Sequence, residues 1–353
     1  VATRSQNLKS PRNDQAGKTP SAKRVYDDNG LAMQLFGSHH AHLARVEQVL
    51  GVTAHARGNE VTFSGESAAV AAACDVLDNL YGRLEKGLPL DQSEVDGALR
   101  MAKAPNGRVE DVNVTVNTRN RKISPRSPLQ AEYLRAIDQA ELVFGQGPAG
   151  TGKTYLAVAK AVELLVRGDV DRIILSRPAV EAGEQLGFLP GDMREKVDPY
   201  LRPLYDALYD MLPAQQVVKR LENGEIEVAP LAFMRGRTLA NALVILDEAQ
   251  NTTAVQMKMF LTRLGENSRM VITGDLSQVD LPRGIRSGLR DAMETLQEVK
   301  GVRFITFGTG DVVRHPLVTR IVDAYMEVET RRRAGARYES EPGGDGESTG
   351  SKD

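Results

Sequence analysis

With 353 residues, 41% of them hydrophobic, the chain is long enough to bury a full core and to divide into one large domain and a smaller one. A formal net charge of -2 excludes attachment to nucleic acid through an overall positive field, so any such surface must be a local patch. A single cysteine, Cys74, excludes an internal disulfide framework, and no apolar run approaches the roughly 20 residues that span a bilayer.

Residues 1–28 read as a disordered basic arm, in which Arg4, Lys9, Arg12, Lys18, Lys23 and Arg24 outweigh the acidic residues and little is available to bury. The arm contains no apolar h-region, and with the lone cysteine a soluble, intracellular protein is expected. Residues 29–86 read as a small α+β domain: a helix from His40 to Leu50, strands from Val52 to Ala56 and Glu60 to Ser64, and a helix from Ser67 to Arg83. Arg57-Gly58-Asn59 supplies the hairpin turn between the strands. Cys74 lies among Val70, Ala73 and Leu77 at helical spacing, as a small buried apolar residue. Order and size resemble a KH-type RNA-binding module. Its G-x-x-G clamp falls on Gly37-Ser38-His39-His40, where the second glycine is missing, so RNA binding and an assembly role both remain open. His39, His40 and His42 have no Cys or carboxylate at ligand spacing and read as a polar helix start before they read as a metal site.

Residues 87–127 are polar and rich in Pro, Gly and Asn, and read as a linker with one alternating segment, Val112 to Val116, suited to an edge strand. Ser127-Pro128 opens a helix that runs to Ala140, carrying Gln130 where related ATPases place an adenine-reading glutamine. Next comes a short apolar strand, Glu141 to Phe144. It runs into Gly147-Pro148-Ala149-Gly150-Thr151-Gly152-Lys153-Thr154, the G-x-x-x-x-G-K-[ST] form of a phosphate-binding loop. An apolar-periodic helix, Tyr155 to Arg167, follows and ends at Gly168. A loop joining a strand to a helix N-terminus offers unpaired N–H groups to an anion. In that role Lys153 would add charge at the β- and γ-phosphates of a nucleotide, and Thr154 would hold Mg²⁺.

Beyond the loop, strand and helix periods alternate as in a parallel α/β sheet, across residues 128–330. Strands are predicted at Asp171 to Ser176, Ile226 to Val228, Ala242 to Leu246, Arg269 to Thr273 and Val302 to Thr306. A long insertion spans Glu181 to Leu212, a closing helix runs from Val318 to Thr330, and residues 331–353 form a disordered tail. Asp247, at the end of an apolar strand, is placed to hold Mg²⁺, and Glu248 to deprotonate an attacking water; a helix cap is the bland alternative. Asp247-Glu248-Ala249-Gln250 and Gly274-Asp275-x-x-Gln278 resemble motifs II and III of superfamily 1 helicases, in which Gln278 would contact the γ-phosphate.

The resemblance is narrower still. Phe144 to Ala157, Ser176 to Asp192, Leu246 to Asn251 and Asp311-Val-Val-Arg-His-Pro-Leu317 are similar to the PhoH-like ATPases, a match covering roughly Leu31 to Met326. It implies a RecA-like P-loop NTPase domain preceded by the KH-like domain, and an ATPase tied to RNA metabolism with proposed helicase activity. It also implies association with a ribosomal RNA endonuclease of the YbeY type. Only one RecA-like domain fits after Lys153, so an arginine must reach the ATP site from elsewhere in the chain or from a neighbouring copy. Arg314 is the first candidate, with Arg177, Arg283 and Arg286 behind it, and a homo-oligomeric ring is the assembly expected. A slow nucleotide-dependent scaffold that recruits a nuclease is the competing function.

Overall fold

The computed structural model describes residues 20–103, 114–178 and 193–313, with isolated positions between 317 and 328. It divides into two compact units, Val1–Asp311 and Val312–Asp353. Described positions of the second unit, such as Val318, Arg320 and Ile321, carry helical backbone inside the predicted closing helix, and Leu317, one residue before it, is helical too.

The first unit begins with β1 (Ser21–Val25), followed by α1 (Asn29–Phe36), α2 (Ala41–Leu50), β2 (Thr53–Arg57), β3 (Glu60–Ser64) and α3 (Ser67–Glu85). The three strands form an antiparallel sheet in the order β1-β3-β2. On β3 the alternate residues Val61 and Phe63 are fully buried, against Leu35, Phe36, Val46, Val70 and Leu77 of the three helices. Strand β1 corrects the reading of a disordered arm over residues 20–28; the rest of that arm, 1–19, lies outside the described residues. The β1 sequence, SAKRV, has no apolar face of its own, and the strand exists because β3 presents a free edge to pair with.

The loop between α1 and α2 holds the expected clamp position. Gly37, His39 and His40 all have positive φ, so His40 takes the left-handed backbone that a glycine adopts without cost. His42 turns its ring under Gly37, where a Cβ would lie 2.8 Å from it, and its Nδ1 is 3.0 Å from the Leu35 carbonyl.

Helix α4 (Gln92–Lys103) corrects the reading of residues 87–127 as a linker. Val95 and Leu99, one turn apart, are buried in the core of the small antiparallel domain, and Asp91 caps the helix through the Ser93 and Glu94 N–H groups. The far end of the stretch is bound as well. A two-residue ladder, β4 (Val116–Asn117) with β5 (Lys122–Ile123), packs on the main domain, and Asn117 N donates to Glu163 at 2.7 Å. Of the edge strand expected from Val112, the first two residues lie outside the described residues, and the ladder begins at Val116.

The main domain runs through α5 (Pro128–Gln139), β6 (Leu142–Gln146), α6 (Lys153–Arg167), β7 (Arg172–Arg177), α7 (Met193–Met211), α8 (Ala214–Glu222) and β8 (Ile226–Pro230). It continues with β9 (Ala242–Leu246), α9 (Ala254–Leu261), β10 (Arg269–Gly274), α10 (Gly288–Thr295) and β11 (Val302–Thr306). Its six strands are all parallel, in the order β11-β6-β10-β9-β7-β8. Successive strand residues feed opposite layers. Val143, Ile173, Leu243 and Val271 face α5, α6 and α7, while Phe144, Ile174, Val244 and Ile272 face α9 and α10. The result is the three-layer, RecA-like P-loop fold, and its strand ends bring the loops after β6, β7, β9 and β10 to one edge. Among the described residues no helix is long and apolar enough to cross a membrane.

Candidate functional site

The loop after β6 is shaped by three glycines with positive φ, Gly147, Gly150 and Gly152. Gly147 has no substitute: a Cβ there would stand 2.5 Å from the Phe307 carbonyl oxygen, just past β11. Its N–H donates to the Gly274 carbonyl at 3.1 Å, so the loop starts pinned to β10. Gly152 ends the loop in left-handed conformation and α6 begins at once with Lys153. The Thr151 hydroxyl donates to the Pro148 carbonyl at 3.0 Å. Lys153, only 8% exposed, folds its ammonium back to donate to the Gly147 and Pro148 carbonyls at 2.6 and 2.8 Å.

Asp247 stands opposite, one residue past β9. A single carboxylate oxygen, Oδ1, accepts from Thr154 Oγ1 and Thr273 Oγ1, each at 2.6 Å. These short bonds run across the sheet: Thr154 comes from α6, Thr273 from β10, and β10 lies between β6 and β9. Hydroxyl and carboxylate oxygens are the hard donors that Mg²⁺ selects, and these two are already side by side.

Glu248 follows with φ 52 and ψ 38, a left-handed conformation unfavourable for a residue with a Cβ. Both carboxylate oxygens are engaged. Oε1 is 3.3 Å from Arg177 Nη2, and Oε2 accepts from Gln250 Nε2 at 2.6 Å. Arg177, at the end of β7, also donates to the Tyr200 carbonyl. Gln250, 1% exposed, is the joint of the site: its Oε1 accepts from Asp275 N at 3.0 Å and its Nε2 also donates to the Gln278 carbonyl at 3.2 Å. Asn251 extends the same clamp by accepting from Asp280 N. Asp275 turns Oδ1 onto Ser277, while its buried Oδ2 has no hydrogen-bond partner among the described residues. Together Gly150, Lys153, Thr154, Asp247, Glu248 and Gln278 line a cleft of about 260 Å³ that also meets Asp275. The cleft suits a magnesium–polyphosphate group: glycine backbone and an ammonium stand on one wall, hydroxyl and carboxylate oxygens on the other.

Beneath the loop, Tyr133 packs against Gly145 and donates to the Lys153 carbonyl at 3.4 Å. Complete burial pushes its phenol well above the ordinary value, so it remains a protonated donor.

The structure brings Ala149, Gly150, Gly152, Lys153, Thr154, Asp247, Glu248 and Gln278 to one cleft, while Gly147, Pro148, Thr151 and Gln130 lie outside its lining. Gln130 is 4% exposed and both ends of its amide carry protein partners: Oε1 accepts from Arg126 N at 2.6 Å and Nε2 donates to the Thr151 carbonyl at 2.9 Å. Buried, with a protein partner at each end, the amide is committed to the loop and the Arg126 backbone. Arg314 lies outside the described residues. Arg286 is paired with Asp291 and Glu294 of α10, and Arg283 is exposed on the loop before it. Sequence reasoning gave no role to Thr273 or Gln250. The first looks like an ordinary strand threonine, and the second ends Asp247-Glu248-Ala249-Gln250 with no local pattern to mark it.

The PhoH-like protein family model matches residues 122–326. Over 298 residues the chain is 50% identical to the PhoH-like protein of Bacillus subtilis, covering 83% of this chain and 93% of that one. The PhoH-like protein of Mycobacterium leprae is 50% identical over 319 residues, 87% of this chain and 91% of its own. Protein PhoH of Escherichia coli K12 is 51% identical over 222 residues, 62% of this chain and 63% of its own. Half-identical to such relatives along most of its length, the chain belongs to the PhoH-like protein family.

Proposed function

We propose that the protein is a Mg²⁺-dependent ATPase whose cycle is coupled to RNA binding or remodelling in ribosomal RNA metabolism in the cytoplasm. The observation that carries the ATPase half is the 2.6 Å contact of Thr154 with Asp247 across from a glycine loop that ends in Lys153. In the working site Lys153 exchanges the Gly147 and Pro148 carbonyls for β- and γ-phosphate oxygens, and the loop N–H groups, Gly147 through Thr154, surround the same anion. Thr154 and Asp247 would hold Mg²⁺, which would supply positive charge to offset that of the phosphates. Glu248 takes a proton from the water that attacks the γ-phosphorus, the bond to the β–γ bridging oxygen breaks, and ADP and phosphate leave. Gln278, exposed at the mouth of the cleft, contacts the terminal phosphate and reports its loss through the loop that Gln250 grips.

Glu248 is not free as it stands. Arg177 must release Oε1 before that oxygen can face water, and an arginine so released is itself near the reacting phosphate. Among the described residues the parallel sheet is single, with no second RecA-like lobe, which supports completion by Arg314 of a neighbouring copy in a ring. RNA binding draws its support from the small antiparallel domain and its strained, exposed Gly37–His40 loop. One observation favours the second reading, a slow scaffold that recruits a YbeY-type nuclease: a base with both oxygens engaged turns over slowly until a partner frees it.

The test is nucleotide binding and phosphate release with and without magnesium and RNA. Lys153→Ala should lose ATP binding, while Glu248→Gln should bind normally and hydrolyse about 100-fold or more slowly. Mixing Lys153→Ala with Arg314→Ala subunits should restore activity if the site is shared. RNA stimulation with ATP-dependent strand separation selects remodelling, and nucleotide binding with slow, RNA-indifferent turnover selects the scaffold. Wild-type protein that retains no ATP with magnesium present refutes both.

A further inference from the structure

Gln130 joins two parts of the first unit that no local pattern connects. On one side its Nε2 holds the Thr151 carbonyl, in the middle of the glycine loop, at 2.9 Å. On the other, its Oε1 holds the backbone N–H of Arg126 at 2.6 Å. Arg126 is in turn bound to α4. Its Nη2 is 3.0 Å from Glu94 Oε1, and its carbonyl accepts from Arg100 Nε at 3.2 Å. The other Glu94 oxygen takes Arg83 Nη2 of α3 at 2.8 Å. Gly97 of α4 allows this approach, since a Cβ there would meet Arg126 Cγ at 3.3 Å. A hydrogen-bonded chain therefore runs from α3 and α4 of the small domain through Glu94, Arg126 and Gln130 to the loop. Glu94 and Gln130 themselves are absent from the cleft lining.

We propose that Gln130 is a positioning residue that holds the loop in its anion-ready curl, and that Glu94 and Arg126 set that hold from the small domain. The inference rests on the nucleotide-binding reading above and adds the route by which the small domain tunes affinity. It contradicts a base-reading role for Gln130. A strut acts on whatever the loop grips, so its loss weakens every triphosphate alike, whereas the loss of an adenine contact is felt by adenine only.

The experiment measures dissociation constants of the full chain for MgATP, MgGTP and magnesium tripolyphosphate, which has no base. Gln130→Met keeps the volume and removes both hydrogen bonds. All three constants should rise by a common factor of roughly ten, the scale expected for one buried hydrogen bond. Turnover at saturating MgATP should stay within about twofold, since uniform binding is what is lost. Glu94→Ala should weaken all three by about threefold, and the double variant should lose less than the product of the two factors, because the residues act in one chain. Should Gln130→Met fail to fold, Glu94→Ala decides: a base-independent loss supports the relay and unchanged constants overturn it. A loss confined to MgATP in Gln130→Met, or independent multiplication in the double variant, also overturns it. Wild-type protein that binds none of the three removes the nucleotide reading itself; wild-type binding with a base-selective loss removes only this inference.

Discussion

Thr273→Val tests the bond that crosses the sheet. Threonine and valine have nearly the same shape, so the substitution removes one hydroxyl from a position with no exposure, beside an Asp247 that is 5% exposed. The lost contact is a 2.6 Å bond to the carboxylate, with a longer one of 3.4 Å to the Leu246 carbonyl. Hydrogen bonds to a charged partner contribute about 1.5–3 kcal/mol, and Asp247 keeps only the Thr154 hydroxyl on that oxygen. A loss near 2 kcal/mol corresponds to a fall in melting temperature of roughly 4–8 °C in a domain of this size class. Thermal melts with and without MgATP read it out. The nucleotide should protect the variant less than wild type, because when Thr154 turns to the metal, Thr273 is the remaining hydroxyl that aims Asp247. A melting temperature unchanged to within about 1 °C, together with unchanged MgATP affinity, would show that the bond aims nothing.

Gln250→Leu leaves Asp275 N–H, the Gln278 carbonyl and one Glu248 oxygen without their shared partner; we expect at least a tenfold loss of turnover, with faster amide exchange over residues 275–280. Unchanged exchange there would remove Gln250 as the joint. Gly147→Ala forces a Cβ to 2.5 Å from the Phe307 oxygen at φ +148, and should cost more than about 2 kcal/mol of stability along with nucleotide binding. Urea titration beside a binding assay checks both. Asp91 is held below the ordinary carboxylate range, first by the Ser93 hydroxyl and then by the Glu94 and Ser93 N–H groups. A depressed folded value means that the cap contributes fully above the unfolded value of about 3.9 and fades as pH falls through the folded one. The stability gap between wild type and Asp91→Ala should therefore narrow as pH falls below about 4, and a gap that stays constant contradicts the assignment.

The buried parallel strands were legible because both their faces are apolar. Ala242 to Leu246, buried at every position, is the clear case; the edge strand Val302 to Thr306, with Arg303 and Thr306 exposed, is placed instead by the alternation of strand and helix periods. Strand β1 was not, since Ser21 to Val25 carries a charged pattern whose only reason to extend is the edge of β3. Helix α4 was hidden by Gly97 in its middle, a residue that disfavours helix and is there to admit Arg126. Within the site, the loop glycines, Lys153, Thr154, Asp247 and Glu248 announce themselves through spacing, because an anion and a metal demand those types at strand ends. Thr273, Gln250 and the committed amide of Gln130 do not, because a hydrogen bond between residues 26 or 21 positions apart leaves no local pattern.

The twisted backbone at Glu248 sets heat resistance against chemistry at a single codon. Glycine or asparagine would relax φ 52 by about 1 kcal/mol, yet either would delete the carboxylate. A screen that rewards survival on heating alone should drift toward such replacements and collect sturdier, silent proteins; only a screen that also demands phosphate release will keep the glutamate.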